Sequence, residues 1–100
     1  MGGEPLCPEN LSTTSLIISE VKYRYPEIEI YLWTGYKLEE IKSFLRIHDI
    51  DEEGKNMRNI LNNLTCLIDG RYEEDKRDIT LPLRGSSNQN IYYFDKEKFL

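Results

Sequence analysis

One hundred residues, 39% of them hydrophobic, are enough for a modest core, so we expect residues 1–100 to form a single small domain. The chain has 13 Lys and Arg against 18 Asp and Glu, and this formal net charge of -5 argues against binding of nucleic acid through its phosphates, which depends on clustered cationic side chains. The N-terminus has no basic segment ahead of an apolar one, and no apolar run approaches the ~20 residues that cross a bilayer. We therefore expect a cytoplasmic protein without a membrane segment.

The first element predicted along the chain is a helix over residues 9–25. Before it, MGGEPLC at residues 1–7 combines two glycines and a proline, which favour a turn and let the backbone approach a ligand closely. Pro8 and Glu9 suit a first helical turn. The apolar residues that follow form a broad stripe at helical spacing: Leu11, Leu16, Ile17, Ile18, Val21 and Tyr25. Pro26 ends the helix, because the residue before a proline is disfavoured in the helical conformation.

The segment IEIYLWTGY at residues 28–36 predicts a strand followed by a turn. Aliphatic residues alternate with larger ones, and both faces are apolar after Glu29, which is typical of a strand covered by helices on both sides. Trp33 is therefore expected to be buried and mainly structural. Thr34 and Gly35 end the strand, at the edge of the sheet where ligands gather in open α/β folds.

Two helices and a second strand are predicted after this turn. Apolar residues at three- and four-residue intervals predict helices over 38–45 and 55–64, and TCLID at 65–69 predicts another buried strand. Strand, helices and strand form a parallel crossover, so the turns after the two strands should be neighbours. The predicted fold class is α/β, a parallel sheet with crossover helices. Between the helices we expect His48 to be a solvated residue without an acidic partner, and residues 49–53 to be a solvated charge run rather than a calcium loop.

The last third of the chain predicts an exposed charged segment, a polar turn and an edge strand. Residues 71–78 are densely charged, and RGSSNQ at 84–89 collects small polar side chains with a glycine. Such a turn either binds an anion or a carboxylate, or is an ordinary surface turn. Residues 91–94 have the pattern of a final edge strand. The two cysteines, Cys7 and Cys66, lie too far apart for a disulfide framework or a local zinc site, so we expect reduced thiols.

Four segments of the chain occur in a distinctive order: GGEPLCPEN at 2–10, IYLWTGYKLEEI at 30–41, LIDGRY at 67–72 and LPLRGSSNQ at 81–89. Together they resemble the activating proteins of anaerobic ribonucleoside-triphosphate reductases, which are radical S-adenosylmethionine enzymes. The resemblance implies part of a radical S-adenosylmethionine (β/α) barrel, with S-adenosylmethionine and a [4Fe-4S] cluster as cofactors. It also implies that the complete enzyme is an oxidoreductase that generates a glycyl radical on the reductase, its protein partner.

The resemblance also implies a binding site for the cofactor. In that superfamily the Gly-Gly-Glu-Pro turn contacts the amino end of the methionine moiety of S-adenosylmethionine. By the same resemblance, the turns after the two strands, with Tyr36 and Gly70, and the polar segment 84–89 line or border the opening of this cofactor site. The candidate cofactor-binding residues are therefore Gly2, Gly3, Glu4, Pro5, Thr34, Gly35 and Asp69.

The chain departs from the family in its cysteines. The family holds its cluster with a C-x3-C-x2-C motif ahead of the Gly-Gly-Glu-Pro turn, and Cys7 with Cys66 cannot replace three clustered sulfurs. The arginine that the family commonly has after Ser-Ser-Asn-Gln is Asn90 here. We therefore expect no metal-ligating and no catalytic residue in this chain. We interpret the chain as the C-terminal portion of an activating enzyme, inactive alone. The alternative is a non-catalytic module that binds a ligand or a partner through the same surface.

Overall fold

The computed structural model describes residues 4–94 of the chain as three helices and three strands. These elements and one short 3-10 turn are, in order, α1 Pro8–Arg24, β1 Tyr31–Trp33, α2 Leu38–Ile47, α3 Glu52–Asn62, β2 Cys66–Asp69, the 3-10 turn Glu74–Lys76 and β3 Asn90–Tyr93. The candidate residues Gly2 and Gly3 lie outside the described residues. Within residues 4–94 there is no helix of the length and apolarity needed to cross a membrane.

The three strands form one mixed sheet in the order β1-β2-β3. β1 and β2 are parallel, with Leu32 opposite Leu67, so the predicted crossover through α2 and α3 is confirmed. β3 is antiparallel to β2, so the prediction of an all-parallel sheet is wrong. The physical reason lies in residues 70–89, which connect the two strands without the crossover helix that usually makes a third strand parallel. The fold is therefore a small α/β domain with a mixed sheet.

The hydrophobic core lies between the helices and one face of the sheet. Leu32 and Leu67 from the strands meet apolar side chains from all three helices and from the segment before α1. The buried residues that complete this core are Leu6, Leu11, Ile18, Ile41, Leu45, Met57, Ile60, Leu61 and Leu64. A polar contact joins α1 to α3, because the Asn59 side chain donates to the Ser15 hydroxyl at 2.8 Å. The sheet and helices thus fix where the ends of β1 and β2 lie.

The second face of β1 is open, contrary to the prediction that both faces are buried. Leu32 is buried, but Tyr31 is 37% and Trp33 49% exposed, and β1 lies at the edge of the sheet. The helices cover one face of the sheet only, and β2 is the strand whose four residues are all buried. The Trp33 indole N–H donates to the carbonyl of Leu83 at 2.7 Å, so the indole has a polar partner while remaining half exposed. The expectation of a buried Trp33 is therefore wrong.

The helix predictions are confirmed in position, with corrections at their ends. The first helix begins one residue before the predicted residue 9, and its stripe is only partly buried, since Leu16 and Ile17 are exposed. The third begins at Glu52 rather than 55, because the Asp51 side chain accepts a hydrogen bond from the Gly54 amide at 3.0 Å and caps the helix. Part of the acidic run is therefore the start of a helix.

His48 has an acidic partner, so that prediction is also wrong. Its Nδ1 lies 2.7 Å from an Asp51 carboxylate oxygen, and its ring lies 4.2 Å from the Phe44 ring. The residue is half-buried where α2 ends, and the cap of the next helix brings the carboxylate back to it. Residues three positions apart form this contact because the chain turns between α2 and α3.

Candidate functional site

The carboxyl ends of β1 and β2 form one continuous edge. The Thr34 amide donates to the Ile68 carbonyl at 2.9 Å, and the Gly70 amide donates to the Tyr36 carbonyl at 3.0 Å. The two turns are neighbours, as the sequence predicts. An open depression of about 340 Å³ lies at this edge. Its lining residues are Glu4, Trp33, Thr34, Gly35, Gly70, Arg71, Tyr72 and Gln89.

Glu4 joins the segment before α1 to the end of β1. One carboxylate oxygen, Oε2, accepts from the Thr34 hydroxyl at 2.6 Å and from the Leu6 amide at 3.0 Å. The other, Oε1, accepts from the Gly35 amide at 2.8 Å. A carboxylate has about four lone-pair sites, so the three donors among residues 4–94 leave one site, on Oε1, for a further donor. The side chain therefore holds the turn in place.

Asp69 has a corresponding role at the end of β2, but it lies behind the depression. It is 2% exposed. Its Oδ2 accepts from the Leu38 amide, the first of α2, at 2.7 Å, and its Oδ1 accepts from the Asn90 amide at 3.1 Å. A carboxylate at a helix N-terminus satisfies a free amide and interacts favourably with the helix dipole. Asp69 thus ties α2 and β3 to the end of β2.

Each of the two turns contains a glycine, and the backbone conformation favours glycine at Gly70. A Cβ on Gly35 would lie 3.4 Å from both the Arg71 Cγ and the Glu4 Oε1, at the limit of ordinary contact. Gly70 has a φ of 90°, in the region that favours glycine. Because Gly70 also accepts from the Gln89 amide group at 2.9 Å through its carbonyl, its conformation links the β2 turn to the polar turn that follows.

The polar turn at residues 84–89 is filled by its own side chain. Gln89 is buried, and its Oε1 accepts from the amides of Gly85 and Ser86 at 2.9 and 3.2 Å. Those amides, which the sequence offered as a binding place for an anion or a carboxylate, bind an internal carbonyl. The Ser86 hydroxyl accepts from the Glu73 amide at 3.1 Å. The turn therefore contributes Gln89 to the lining of the depression, while its Gly85 and Ser86 amides are already bound.

The rim of the depression carries one cation and several aromatic groups. Arg71 and Tyr72 are exposed there, beside Trp33. Nearby, burial raises the pKa of the Tyr36 phenol, and the charges of Glu4, Cys7 and Glu9 raise it further, while Arg71 opposes them. The Tyr36 hydroxyl therefore stays protonated at neutral pH. The rim can pair with a carboxylate through Arg71 and stack a flat group against the aromatic rings.

The cysteines of the chain do not form a metal site. Cys66 is fully buried in β2, and burial raises the pKa of its thiol, which disfavours the thiolate that metals bind. Cys7 is half-buried at the start of α1, and both are free thiols. Among the residues that the structure describes, no three His, Cys, Asp or Glu side chains are grouped so as to hold a metal ion. An iron-sulfur cluster does not fit the donors that this chain offers.

The structure brings together some of the candidate residues and separates others. Glu4, Thr34 and Gly35 line the depression. Pro5 lies beside Glu4, and its carbonyl accepts from the Thr14 hydroxyl at 2.8 Å, away from the carboxylate. The residues missed from the sequence are Arg71 and Tyr72, whereas Gln89 belongs to the segment 84–89 that the resemblance placed at the border of the site. The sequence feature that could have indicated Arg71 as a site residue is its position directly after the turn that ends β2.

Comparison with known proteins identifies the family to which this chain belongs. Residues 1–92 match the model of the 4Fe-4S single cluster domain, and the chain belongs to this family. Its curated relatives are anaerobic ribonucleoside-triphosphate reductase-activating proteins, which confirms the resemblance seen in the four segments. No solved structure matches the chain.

The three most similar of these relatives match almost all of this chain. The relative from Pasteurella multocida is 40% identical over 93 residues, 93% of this chain and 52% of the relative. The Haemophilus influenzae relative is 38% identical over the same shares, and that of Enterobacteria phage T4 is 38% identical over 91% of this chain and 49% of its own. The chain thus spans about half the length of the curated relatives it matches.

Proposed function

We propose that this chain is the C-terminal part of an activating enzyme of an anaerobic ribonucleoside-triphosphate reductase. The complete enzyme would be a cytoplasmic radical S-adenosylmethionine oxidoreductase with a partial (β/α) barrel, and it would form a glycyl radical on the reductase. The observation that carries the proposal is the Glu4 carboxylate bound to Thr34 and Gly35, because it joins two of the four segments that resemble the family. The names of the relatives support the same partner.

The depression at the end of β1 is the proposed site for the methionine end of S-adenosylmethionine. The free lone pair of Glu4 Oε1 and the backbone carbonyls of the turn can accept from the ammonium group. The guanidinium of Arg71 stands at the rim, where it suits the carboxylate. Gly2, Gly3 and Pro5 would add backbone contacts. Asp69 would act through the turn it fixes rather than by contact, since it is buried behind it.

The cluster that supplies electrons for the reaction is not held by this chain's residues. Three clustered thiolates are needed, and the sequence has only Cys7 and Cys66. The ligands would come from the part of the enzyme that corresponds to the other half of the relatives. On this proposal the chain contributes binding and orientation of the cofactor, and it is inactive alone.

Anaerobic reconstitution with iron and sulfide tests this assignment. We expect no stoichiometric cluster on the chain alone. The chain joined to the unmatched half of the Pasteurella multocida relative, in the order of that relative, should bind four irons. With S-adenosylmethionine, a reductant and that organism's reductase, the joined protein should give a glycyl radical signal by electron paramagnetic resonance. A stoichiometric four-iron cluster on the chain alone, or no radical from the iron-loaded joined protein, would contradict the proposal.

Titration of S-adenosylmethionine into the isotopically labelled chain tests the site. The contacts that this chain offers to S-adenosylmethionine include about one charge-assisted hydrogen bond, whose contribution is small compared with an association cost of several kcal/mol. We therefore expect a dissociation constant in the millimolar range or weaker. Amide shifts should centre on residues 4, 34–36 and 69–71. Micromolar binding, or shifts centred on α3, would refute the site.

A non-catalytic module for binding a protein partner is the second candidate, and the half-exposed Trp33 favours it. Aromatic residues that are rigid and half exposed are enriched at protein interfaces. A module of this kind would bind the reductase without any cluster. Pull-down of the reductase by the chain alone, lost in Trp33→Ala, together with no radical from the iron-loaded joined protein, would support this candidate over the first.

A further inference from the structure

Two amide side chains of the polar turn hold the backbone on both sides of Arg71. The Gln89 side chain donates to the Gly70 carbonyl at 2.9 Å, and the Asn88 side chain donates to the Arg71 carbonyl at 2.7 Å. The Gly70 amide, one peptide unit earlier, donates to the Tyr36 carbonyl at 3.0 Å. Peptide units are planar, so a residue between two held units has little freedom in φ and ψ. The direction of the Arg71 side chain from its Cα is therefore set by the polar turn.

The same turn holds the two residues that follow. The Glu73 amide donates to the Ser86 hydroxyl at 3.1 Å. The Tyr72 ring packs on Gly85, where a Cβ would lie 3.0 Å from the ring atoms Cδ1 and Cε1. Each residue of the segment 70–73 thus contacts a different residue of the turn.

The Gln89 side chain has a single orientation that satisfies its neighbours. Its Oε1 accepts from the amides of Gly85 and Ser86, and its Nε2 donates to a carbonyl, so exchanging the two ends of the amide group would break all three contacts. Its backbone carbonyl accepts from the Arg84 guanidinium at 2.7 Å. The side chain is also buried. Gln89 is therefore a fixed donor to the β2 turn.

Arg71 is the residue through which this arrangement reaches the site. It is exposed and lines the depression together with Glu4. Within residues 4–94 its guanidinium forms no ion pair with a carboxylate. We infer that Asn88 and Gln89 are positioning residues, which hold the backbone of Arg71 so that its guanidinium meets the carboxylate of the ligand in the depression. This inference rests on the proposed function, in which that ligand is S-adenosylmethionine.

Relaxation measurements on the labelled chain test the hold on Arg71 without any ligand. Asn88→Ala removes the donor to the Arg71 carbonyl, and Gln89→Met removes the donor to the Gly70 carbonyl at similar size; neither adds a charge. The amide order parameter of residue 72 should fall from about 0.85 toward about 0.6 in Asn88→Ala, and that of residue 71 should fall likewise in Gln89→Met. Ser87→Ala, at an exposed serine of the same turn, is the control and should change neither. Order parameters unchanged in both variants would refute the hold.

A comparison of two ligands separates positioning from general support of the loop. The ligands are S-adenosylmethionine and its decarboxylated analogue, titrated anaerobically by calorimetry into the iron-loaded joined protein. Asn88→Ala and Arg71→Ala should each weaken the affinity for S-adenosylmethionine about tenfold, since a charge-assisted contact is misplaced or lost. Their affinities for the analogue, which has no carboxylate for Arg71, should stay within about twofold of the parent.

The outcomes distinguish this inference from the proposed function. Equal weakening for the two ligands in Asn88→Ala, or no weakening for either, would refute the positioning role, while binding of S-adenosylmethionine by the parent leaves the proposed function standing. A joined protein that binds no S-adenosylmethionine would refute the proposed function and with it the ligand of Arg71. Asn88→Ala decides the matter alone if Gln89→Met, whose substituted side chain is buried, does not fold.

Discussion

Replacing Glu4 tests whether its carboxylate holds the candidate site together. Glu4→Ala removes the acceptor for the Thr34 hydroxyl at 2.6 Å, the Gly35 amide at 2.8 Å and the Leu6 amide at 3.0 Å. Hydrogen bonds to a charged group contribute about 1.5–3 kcal/mol each when well buried. Thr34 is 5% exposed and its hydroxyl loses the Glu4 acceptor, while Glu4 itself is half-buried, so water replaces part of the loss.

The expected cost of Glu4→Ala is therefore about 2–3 kcal/mol in the free energy of unfolding, below the sum of three buried charged bonds. Glu4→Gln keeps one carbonyl oxygen and should cost roughly half as much. Glu27→Ala, at an exposed glutamate in the segment before β1, is the control and should stay within about 0.5 kcal/mol of the parent.

Urea denaturation followed by Trp33 fluorescence and by circular dichroism measures these differences, because a change in midpoint at constant slope reports stability. The Gly35 amide resonance should move in Glu4→Ala and not in Glu27→Ala. A free energy of unfolding for Glu4→Ala within 0.5 kcal/mol of the parent would refute the role assigned to the carboxylate. An unmoved Gly35 resonance would refute the contact itself.

Four further outcomes can be measured by denaturation. Asp69→Ala leaves two partly buried backbone amides without that acceptor and should cost roughly 3 kcal/mol; a loss under 1 kcal/mol would contradict this. Trp33→Ala should cost about 1–2 kcal/mol rather than the ~3–5 of a core tryptophan, since the side chain is half exposed. Gly54→Ala should destabilise by roughly 1–3 kcal/mol, because a Cβ there would lie 1.7 Å from the His48 carbonyl oxygen; an unchanged midpoint would contradict that contact. The hydrogen bond from His48 lowers the pKa of the Asp51 carboxyl below its ordinary value of 3.8. The stability that this carboxylate contributes is therefore present above pH 3.8 and is lost as the pH falls through the lower pKa of the folded protein. Asp51→Asn should flatten this acid dependence of the free energy of unfolding.

The parts of the fold that could be predicted depend on local pattern. TCLID predicted a buried strand, and β2 is that strand: its four residues are all buried, and it is the central strand of the sheet. The same argument failed for β1. Counting Tyr31 and Trp33 as simply apolar ignored that tyrosine and tryptophan have a polar end and tolerate half exposure. The direction of β3 was predicted wrongly: residues 70–89 contain no crossover helix, and without one an antiparallel return is the usual connection.

The candidate site was predictable in position but not in the role of its side chains. The carboxyl ends of parallel strands meet at one edge, which was enough to place Thr34 and Gly35 beside the β2 turn. The contact from Glu4 to Thr34 joins residues 30 positions apart, and no spacing rule indicates it. The same is true of Gln89, whose amide group reaches the Gly70 carbonyl across 19 positions. Long-range polar contacts of this kind become visible only in the folded chain.

Glu4 and Asp69 show why the site should be sensitive to substitutions that touch no ligand. Glu4, before α1, accepts from the turn that ends β1, and Asp69, at the end of β2, accepts from the first residues of α2 and β3, so the geometry of the depression is set by internal hydrogen bonds. A site that is organised before binding does not have to order its turns when the ligand arrives, which lowers the cost of association. Substitution of either carboxylate should therefore lower both the stability of the fold and the affinity for S-adenosylmethionine. Loss of Arg71, which is exposed at the rim, should lower that affinity with little change in stability.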